Sequence, residues 1–271
     1  MQTKAPEVLG IIAGNGVYPR LLADSARKAG VKTIVATSFS GETDPAIVQH
    51  VEVVEWLRVG QLSRLLSFFQ EQNVRHAIMA GQIAPKNLFD LRPDWKALLL
   101  LARLKRRNAE SIFSAIADEL TKIDVDLLPA TTFLDEYLAP RGLIAGSKLS
   151  RREEEDVDFG WKVAKQIAEL NIGQTVVVKS GTVLAVEGLD GTNETIKRGG
   201  KLARKGAVMI KVAKPNQDMR FDVPVIGIET IRAVTAAKVR VIALEADRTL
   251  LLEKERLLEM ASHSKISILA R

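Results

Sequence analysis

The chain has 271 residues, of which 46% are hydrophobic and 27% charged, with a formal net charge of +6 and a pI near 9.5. This composition predicts a globular protein with room for two domains and excludes a disordered or fibrous chain. The absence of cysteine excludes disulfides, thiolate zinc sites and thiol nucleophiles.

Targeting and partner signals are few. The N-terminus has no apolar signal region, and the longest apolar stretch near the middle, residues 97–102, is far shorter than the roughly 20 residues that span a bilayer. We therefore expect a cytoplasmic protein. The positive charge favours anionic partners, but the low aromatic content of 5% argues against nucleic acid. The densest basic cluster, within residues 103–107, is typical of a solvated helix end or of a surface that meets phosphates.

Strand and helix patterns alternate through the first half of the sequence. Strands separated by helical segments predict right-handed crossovers and a parallel sheet. We therefore expect an α/β protein whose first domain, residues 1–140, is Rossmann-like. Its predicted strands are residues 8–13, 33–38, 51–56 and 76–80, and its predicted helices are residues 18–29, 61–72, 95–107 and 109–122.

Two glycine turns follow strands of this predicted sheet. Gly14, Asn15 and Gly16 join the first strand to the first helix, where backbone N–H groups and the helix dipole can receive phosphate oxygens. Pro19 occupies the place of the third small residue of a dinucleotide fingerprint, which argues against NAD. Contact with a phosphate or sugar and a purely structural turn both remain open. Gly81 and Gln82 end the fourth strand at the same edge. The Gln82 amide is suited to hydrogen-bond a base or a sugar, and a strand-terminating turn is the alternative role.

The second half has a different rhythm and predicts a mixed α/β domain over residues 141–271. A long helix is predicted at residues 151–170, and the acidic run at 153–156 suits its positive N-terminal dipole. A hairpin follows, with Ser180 and Gly181 at its turn. The remaining predictions are helices at 192–203 and 227–237, strands at 207–212, 239–244 and 250–252, and a final helix and strand.

A polar loop lies within residues 211–231, KVAKPNQDMRFDVPVIGIETI. Pro215 and Pro224 disfavour a helix or a central strand there. Cations beside carboxylates suit an anionic ligand together with a hard metal ion, which is the combination that phosphate chemistry uses. A solvated surface loop is the alternative. The charged and amide residues of the loop are Lys214, Gln217, Asp218, Arg220 and Asp222.

Four segments stand in order along the chain: IAGNGVYPRLLA, MAGQI, VLAVEGLDGTNETIKR and KPNQDMRFDVPVIGIETI. Together they resemble the LpxI family of UDP-2,3-diacylglucosamine pyrophosphatases, from Gly10 to the C-terminal strand. The resemblance implies a Rossmann-like N-terminal domain and a C-terminal domain of unusual fold, with the ligand held between them. It also implies hydrolysis of a lipid-linked UDP-sugar to UMP and 2,3-diacylglucosamine 1-phosphate (lipid X) in lipid A synthesis.

The same resemblance implies the cofactor and partners. The cofactor is a divalent cation, usually Mg2+, with Mn2+ or Co2+ as substitutes, and a homodimer is typical. The reaction takes place on the cytoplasmic side of the inner membrane, with which peripheral contact is a further expectation. Residues 98–104 and the basic cluster would make that contact, although ordinary core packing is the favoured explanation for the leucines.

Site residues carry over by motif. The R-x-D-x-P-x-x-G segment of the family places its essential aspartate at Asp222, which we expect to bind the metal or orient water. Lys214 and Arg220 are expected to clamp phosphates. Asn193 stands where the family turn is usually acidic, so that Glu187 or Glu194 would have to compensate if that carboxylate helps to bind the metal. The expected substrate-binding residues are Gly14, Asn15, Gly16, Gly81, Gln82, Gly191, Thr192, Asn193 and Gln217, and the expected metal ligands are Asp222 and Glu187.

Alternatives stay open at this point. Asp222 would serve only to brace the loop if it paired with Arg220. The three histidines lie outside the motif segments, which disfavours histidine-based phosphate chemistry. The competing functions are an NAD-dependent nucleotide-sugar oxidoreductase and a non-catalytic protein that binds nucleotide-sugars or lipid X.

Overall fold

The computed structural model describes residues 5–83, 93–105, 109–215 and 217–271. The chain divides into two units. The first comprises Met1–Leu134 together with Met219–Asp222, and the second comprises Asp135–Asp218 together with Val223–Arg271. The last two residues of the helix predicted at 95–107 lie outside the described residues.

The first unit contains the parallel five-stranded sheet that the alternating pattern predicts. Its order is β3-β2-β1-β4-β5, so that β1 lies between β2 and β4. The short β5 has no periodicity of its own and was not predicted. The strands are β1 (Val8–Ala13), β2 (Thr33–Phe39), β3 (Val53–Leu57), β4 (His76–Ala80) and β5 (Asp126–Leu127).

Helices cover this sheet with apolar faces. Leu65 and Phe69 of one helix and Leu120 of another belong to a single buried cluster with sheet residues such as Val35 and Met79. Asp94 begins a third helix, because its carboxylate accepts a hydrogen bond from the Ala97 N–H at 2.9 Å. The helices are α1 (Tyr18–Lys28), α2 (Leu62–Glu71), α3 (Trp95–Arg103) and α4 (Ala109–Thr121), with a 3₁₀ turn at Pro45–Gln49.

The strand order reverses beside β1. The chain proceeds from β1 outward through β2 and β3, then returns to place β4 on the other side of β1. In open α/β sheets such a reversal leaves a crevice at the carboxyl ends of the two strands, where ligands bind. The two glycine turns follow β1 and β4 and therefore lie at this point.

The second unit is built on a mixed six-stranded sheet of order β6-β13-β11-β9-β7-β8. The strands β9, β11 and β13 are parallel to one another, while β6, β7 and β8 are antiparallel to their neighbours. The antiparallel pair of β7 and β8 is the predicted hairpin. The strands are β6 (Gly142–Ala145), β7 (Thr175–Lys179), β8 (Thr182–Val186), β9 (Ala207–Lys211), β11 (Val239–Leu244) and β13 (Ser267–Ala270), with β10 (Val225–Ile226) and β12 (Leu250–Leu251) as a separate parallel pair.

Both faces of this sheet are buried. Val176 and Val178 of β7 pack with α5 (Arg151–Glu169), whereas Val177 between them joins the cluster on the opposite face. That second cluster includes residues of α6 (Gly191–Ala203), α7 (Ile228–Ala236) and α8 (Lys254–His263). The alternation of β7 follows from the two-residue period of a strand.

Within the described residues, no helix is long and apolar enough to cross a membrane.

The acidic run at the start of α5 divides between two roles. Ser150 caps the helix, and Glu153 completes the capping box by accepting the Ser150 N–H at 2.7 Å. Asp156 is buried instead, and its carboxylate accepts the N–H groups of Ser180 at 2.8 Å and Gly181 at 2.7 Å. This carboxylate therefore fixes the turn of the β7–β8 hairpin onto α5.

We expect Asp156→Ala to destabilise the protein by about 2 kcal/mol, because the N–H groups of Ser180 and Gly181 lose a charged acceptor. Urea unfolding measures this difference. Glu154→Ala is the matched control, since Glu154 is exposed on the same helical turn and its loss should cost less than about 1 kcal/mol. Equal destabilisation of the two variants would contradict this role for Asp156.

Candidate active site

The glycine turns after β1 and β4 are joined by backbone hydrogen bonds. Asn15 donates its N–H to the Gln82 carbonyl at 2.6 Å, and Gln82 donates to the Asn15 carbonyl at 3.3 Å. Gly14 donates to the Ala80 carbonyl at 2.7 Å. The N–H groups of Gly14 and Asn15, which were expected to meet phosphate, thus donate their hydrogen bonds within the protein. Backbone N–H contacts to a ligand in this turn therefore fall to Gly16 and the first turn of α1, whose N-cap residue Val17 makes no side-chain hydrogen bond.

Two of these glycines are required by close approach. A Cβ atom on Gly14 would lie 2.6 Å from the Gln82 carbonyl oxygen, and one on Gly81 would lie 2.6 Å from the Asn15 carbonyl oxygen. Gly81 also has a φ of +91°, which L side chains rarely adopt. The two turns therefore touch backbone to backbone at the reversal of strand order.

Tyr18 links the glycine turn to a distant part of the chain. It is the first residue of α1, and its buried hydroxyl donates a hydrogen bond to the Ala130 carbonyl at 2.5 Å. Burial raises the pKa of Tyr18 well above its usual value. Ala130 in turn donates its N–H to the Met219 carbonyl at 2.7 Å. This chain of contacts attaches the segment Met219–Asp222 to the first unit.

The segment Met219–Asp222 is also held by aromatic packing. The ring of Phe221 lies 5.7 Å from the ring of Phe113 on α4, measured between centroids. The guanidinium carbon of Arg220 lies 5.9 Å from the centroid of Phe221. Asp222 follows directly and is half-buried. Arg220 and Asp222 thus belong to the same unit as Gly14–Gly16 and Gly81–Gln82.

The other predicted site residues belong to the second unit, where several of them form a polar cluster. The Thr192 hydroxyl on α6 donates to Glu187 Oε1 at 2.7 Å, and Lys211 Nζ donates to Thr192 Oγ1 at 2.8 Å. The Thr175 hydroxyl lies 3.5 Å from the same oxygen. Thr192 is therefore held near the start of α6 with a carboxylate on one side and a cation on the other.

Glu187 and Gln174 connect this cluster to the polar loop. Glu187 Oε2 accepts the Gln174 N–H at 3.1 Å, and the Gln174 amide oxygen lies 3.5 Å from Gln217 Nε2. Gln217 is buried, and its amide oxygen accepts the Lys214 N–H at 2.7 Å. The amide of Gln217 thus shapes the backbone at Lys214.

The turn that carries Asn193 shows which carboxylates are already engaged. Asn193 is exposed, and the neighbouring Glu194 pairs with Lys197 at 2.5 Å. Asp190 is held by Arg198 at 2.8 Å, and this hydrogen bond keeps the pKa of Asp190 below its usual value. Both oxygens of Glu187 accept hydrogen bonds within the protein. Each of these three carboxylates near Asn193 therefore has a partner.

No group of three or more His, Cys, Asp and Glu side chains suited to a metal ion occurs within the described ranges. Mg2+ is commonly held by one or two carboxylates together with substrate phosphates. A single carboxylate such as Asp222 fits that type of site. Glu187 is a second carboxylate of this kind, and its two oxygens accept hydrogen bonds from Thr192 and Gln174. The ligand pair Asp222 and Glu187 stays a prediction.

Sequence reasoning missed Lys211 and Tyr18. Lys211 ends β9, and its signal is a single charged residue after the buried run 207–210. Tyr18 lies within the segment IAGNGVYPRLLA, but its role depends on the distant carbonyl of Ala130. Neither role could be predicted from the sequence, because the partners of both residues are far away along the chain.

Comparison with known proteins matches both halves of the chain. The profile described as the LpxI N-terminal domain matches residues 8–137, and that described as the LpxI C-terminal domain matches residues 140–269. A curated protein of Caulobacter vibrioides, named UDP-2,3-diacylglucosamine pyrophosphatase LpxI, is 27% identical over 272 residues, which is 96% of each chain.

A search of solved structures matches the biotin carboxylase domain of Hydrogenobacter thermophilus 2-oxoglutarate carboxylase, crystallised with MgADP, ADP and bicarbonate. The match covers 73% of this chain and 41% of the other, at 10% identity and a TM-score of 0.29. A likeness this slight assigns no fold and no ligand.

We expect Tyr18→Phe to destabilise the protein by about 1 kcal/mol at neutral pH, because the Ala130 carbonyl loses its donor. Tyrosine in the unfolded chain ionises near pH 10, whereas burial raises the pKa of Tyr18 in the folded protein. Wild-type stability should therefore fall as the pH rises above about 10, since only the unfolded state then releases this proton.

The variant lacks that loss, so its difference from wild type should shrink between pH 8 and about pH 11 in urea unfolding. Tyr137→Phe is the control, because the second of the two tyrosines is only half-buried. A constant difference across this pH range for Tyr18→Phe would contradict the burial argument.

Proposed function

The chain belongs to the LpxI family, and from that premise we propose that it hydrolyses UDP-2,3-diacylglucosamine in lipid A biosynthesis. The products are UMP and 2,3-diacylglucosamine 1-phosphate. One observation carries the proposal: Asp222 and Arg220 are held in the unit whose glycine turns lie at the reversal of strand order. The name of the Caulobacter vibrioides relative supports the substrate.

The chemistry requires a water molecule, a base and cations. The water oxygen forms a bond to the phosphorus of the UMP group, the bond from that phosphorus to the bridging oxygen breaks, and the sugar phosphate leaves. The Asp222 carboxylate is suited to orient the water and accept its proton. Arg220 offers fixed N–H donors to the phosphate oxygens, on which negative charge increases during the reaction.

The second unit contributes groups of the same chemical kind. Lys214, for which we propose a phosphate-binding role, lies in a backbone segment that Gln217 shapes. The Thr192 hydroxyl, held between Glu187 and Lys211, is positioned as a polar contact near the start of α6. Its orientation depends on both neighbours, so that Lys211 acts as a positioning residue.

Metal dependence is part of the proposal. Asp222 is the carboxylate that would hold Mg2+, together with phosphate oxygens of the substrate. When bound, the ion supplies charge neutralisation and lowers the pKa of a water molecule. Mn2+ and Co2+ are the expected substitutes.

Location and assembly complete the proposal. We expect a homodimer in the cytoplasm that reaches its lipid substrate at the inner membrane. The outer side of α3 is the described surface suited to that contact, since Trp95, Leu98 and Leu99 are exposed there while Ala97 and Leu100 are buried. Of the basic cluster expected beside it, Arg106 and Arg107 lie outside the described residues.

We expect Asp222→Asn to reduce turnover by about 10²- to 10⁴-fold, because the amide cannot accept the proton. Purified protein, Mg2+ and UDP-2,3-diacylglucosamine are incubated, and UMP is quantified by mass spectrometry. In oxygen-18 water the label should enter UMP. Asp124→Asn is the control, since Asp124 is an exposed aspartate of the same unit whose positive φ asparagine also tolerates.

An unchanged rate for Asp222→Asn would remove Asp222 from the mechanism. Substrate that binds but releases no UMP from wild-type protein would instead identify a non-catalytic binding protein.

Chelation tests the metal separately. EDTA should abolish UMP release, and Mg2+ in excess should restore it, because the proposed reaction needs a cation on the phosphate oxygens. Full activity in EDTA, with metal-free buffers confirmed by elemental analysis, would contradict the metal proposal. It would leave unchanged the proposal that Asp222 orients the water and accepts its proton.

A further inference from the structure

The second unit contains a positively charged groove that the proposed chemistry does not use. Its volume is about 670 Å³, and ligand sites commonly measure about 300–1,000 Å³. It lies where β7 ends and where β9, β11 and β13 begin, and its walls also include the start of α5 and the residues that follow α6, α7 and α8. Lys211 of the polar cluster ends β9, so the groove and that cluster lie at opposite ends of this strand, about 16 Å apart along it.

Cations outnumber carboxylates in the lining of the groove, which carries six cationic side chains and two carboxylates. The carboxylates are Glu153 and Asp156, and both accept hydrogen bonds from backbone N–H groups. A concave surface with such an excess of positive charge attracts anions. The lining cations are Arg152, Lys179, Lys205, Lys238, Arg240 and Lys265.

Two of the six cations are fixed by hydrogen bonds. Lys179 Nζ donates at 2.8 Å to the carbonyl oxygen of Ala203, the last residue of α6. Arg240 donates to Ser147 Oγ at 2.7 Å, and its Nε lies 4.0 Å from Glu153 Oε1. These two side chains therefore form positive walls of fixed shape, and Lys179 already offsets the negative end of α6.

The other four cations make no ion pair within the described residues, and all four are exposed. Cations commonly follow a helix because its C-terminus carries about half a negative charge. The three helices that end at the groove therefore offset about one and a half of the six positive charges, and the two carboxylates offset two more. Positive charge thus remains for a ligand. The exposed cations are Arg152, Lys205, Lys238 and Lys265.

The backbone at two of these lysines gives a second reason to assign a role to their side chains. Lys238 and Lys265 follow the C-cap residues of α7 and α8 and have φ values of +53° and +55°. Glycine and asparagine adopt this conformation more easily than lysine. The two lysines precede the adjacent strands β11 and β13, which are about 4.8 Å apart. This spacing suits two phosphate groups of one molecule.

We propose that this groove binds a small soluble anion that carries two or more phosphate groups. The four exposed cations supply charge-assisted hydrogen bonds to the phosphate oxygens. The hydroxyl groups of Thr235 and Ser264, which lie 3.2 Å apart in the wall, are further donors. The inference does not depend on the hydrolase function, because the groove and the polar cluster lie at opposite ends of β9.

Amide NMR during a titration with inorganic triphosphate tests the proposal. The signals of Gly206, Lys238 and Lys265 should shift together and give one Kd. Lys238→Asn combined with Lys265→Asn should raise the Kd read from Gly206 about tenfold, because two cations are lost while asparagine keeps the left-handed backbone. Binding should also weaken as the salt concentration rises from about 50 mM to about 500 mM, since salt screens exposed charges.

Lys162→Gln is the matched control, because Lys162 is exposed on α5 of the same unit but does not line the groove. Its Kd should stay within about twofold of the wild-type value. Lys205→Gln is a second groove variant in case the double variant folds poorly, and thermal unfolding of each protein checks this. Equal weakening by Lys162→Gln would overturn the proposal, since net charge alone would then explain the binding. So would shifts confined to Lys211, Thr192 and their neighbours.

Vesicles of phosphatidylglycerol separate a soluble anion from a lipid headgroup. Wild type should bind triphosphate in the groove and should sediment with these vesicles no more than the double variant does. Sedimentation that the double variant loses, with no shift of Gly206 in triphosphate, would overturn the proposal in favour of a membrane-binding surface.

Discussion

The candidate active site depends on one backbone hydrogen bond, from the Ala130 N–H to the Met219 carbonyl. Through it and the packing of Phe221 against Phe113, the four residues Met219–Asp222 belong to the first unit, while the residues on either side of them belong to the second. The Ala130 carbonyl receives Tyr18, so that the same peptide ties the glycine turn and the charged segment together. A polar loop by itself has no fixed shape. This attachment fixes the position of the backbone that carries Arg220 and Asp222.

The first unit offers two chemically distinct environments at one edge of its sheet. At the reversal of strand order, backbone groups approach so closely that only glycine fits at positions 14 and 81. Beyond Gln82 and Phe39 the surroundings become apolar, and the described side chains there include Val59, Leu65 and Ile112. Because burying a charge in an apolar wall is costly, the two environments suit different parts of a ligand.

The second unit provides orientation through paired polar groups. Glu187 is shared between Thr192 and Gln174, and Gln217 reaches back to the Lys214 backbone. Such a network fixes side-chain directions because each member satisfies another. Asn193 is exposed beside this network, and the carboxylates of Asp190 and Glu194 near it have partners within the protein.

Local pattern alone determined much of this protein. Strong periodicity located β4 and β11 at their observed bounds, and the sequence placed the glycine turn after β1 and the hairpin of β7 and β8. Motifs identified the family and the candidate residues. Only the tertiary structure decided that Asp156 braces a turn 24 residues away, that Lys211 contacts Thr192, and that Asp222 belongs to the first unit. The short strands β5 and β10 were likewise set by their neighbours. Periodicity reports which face of an element is buried, whereas a hydrogen bond between distant residues leaves no trace in the local sequence.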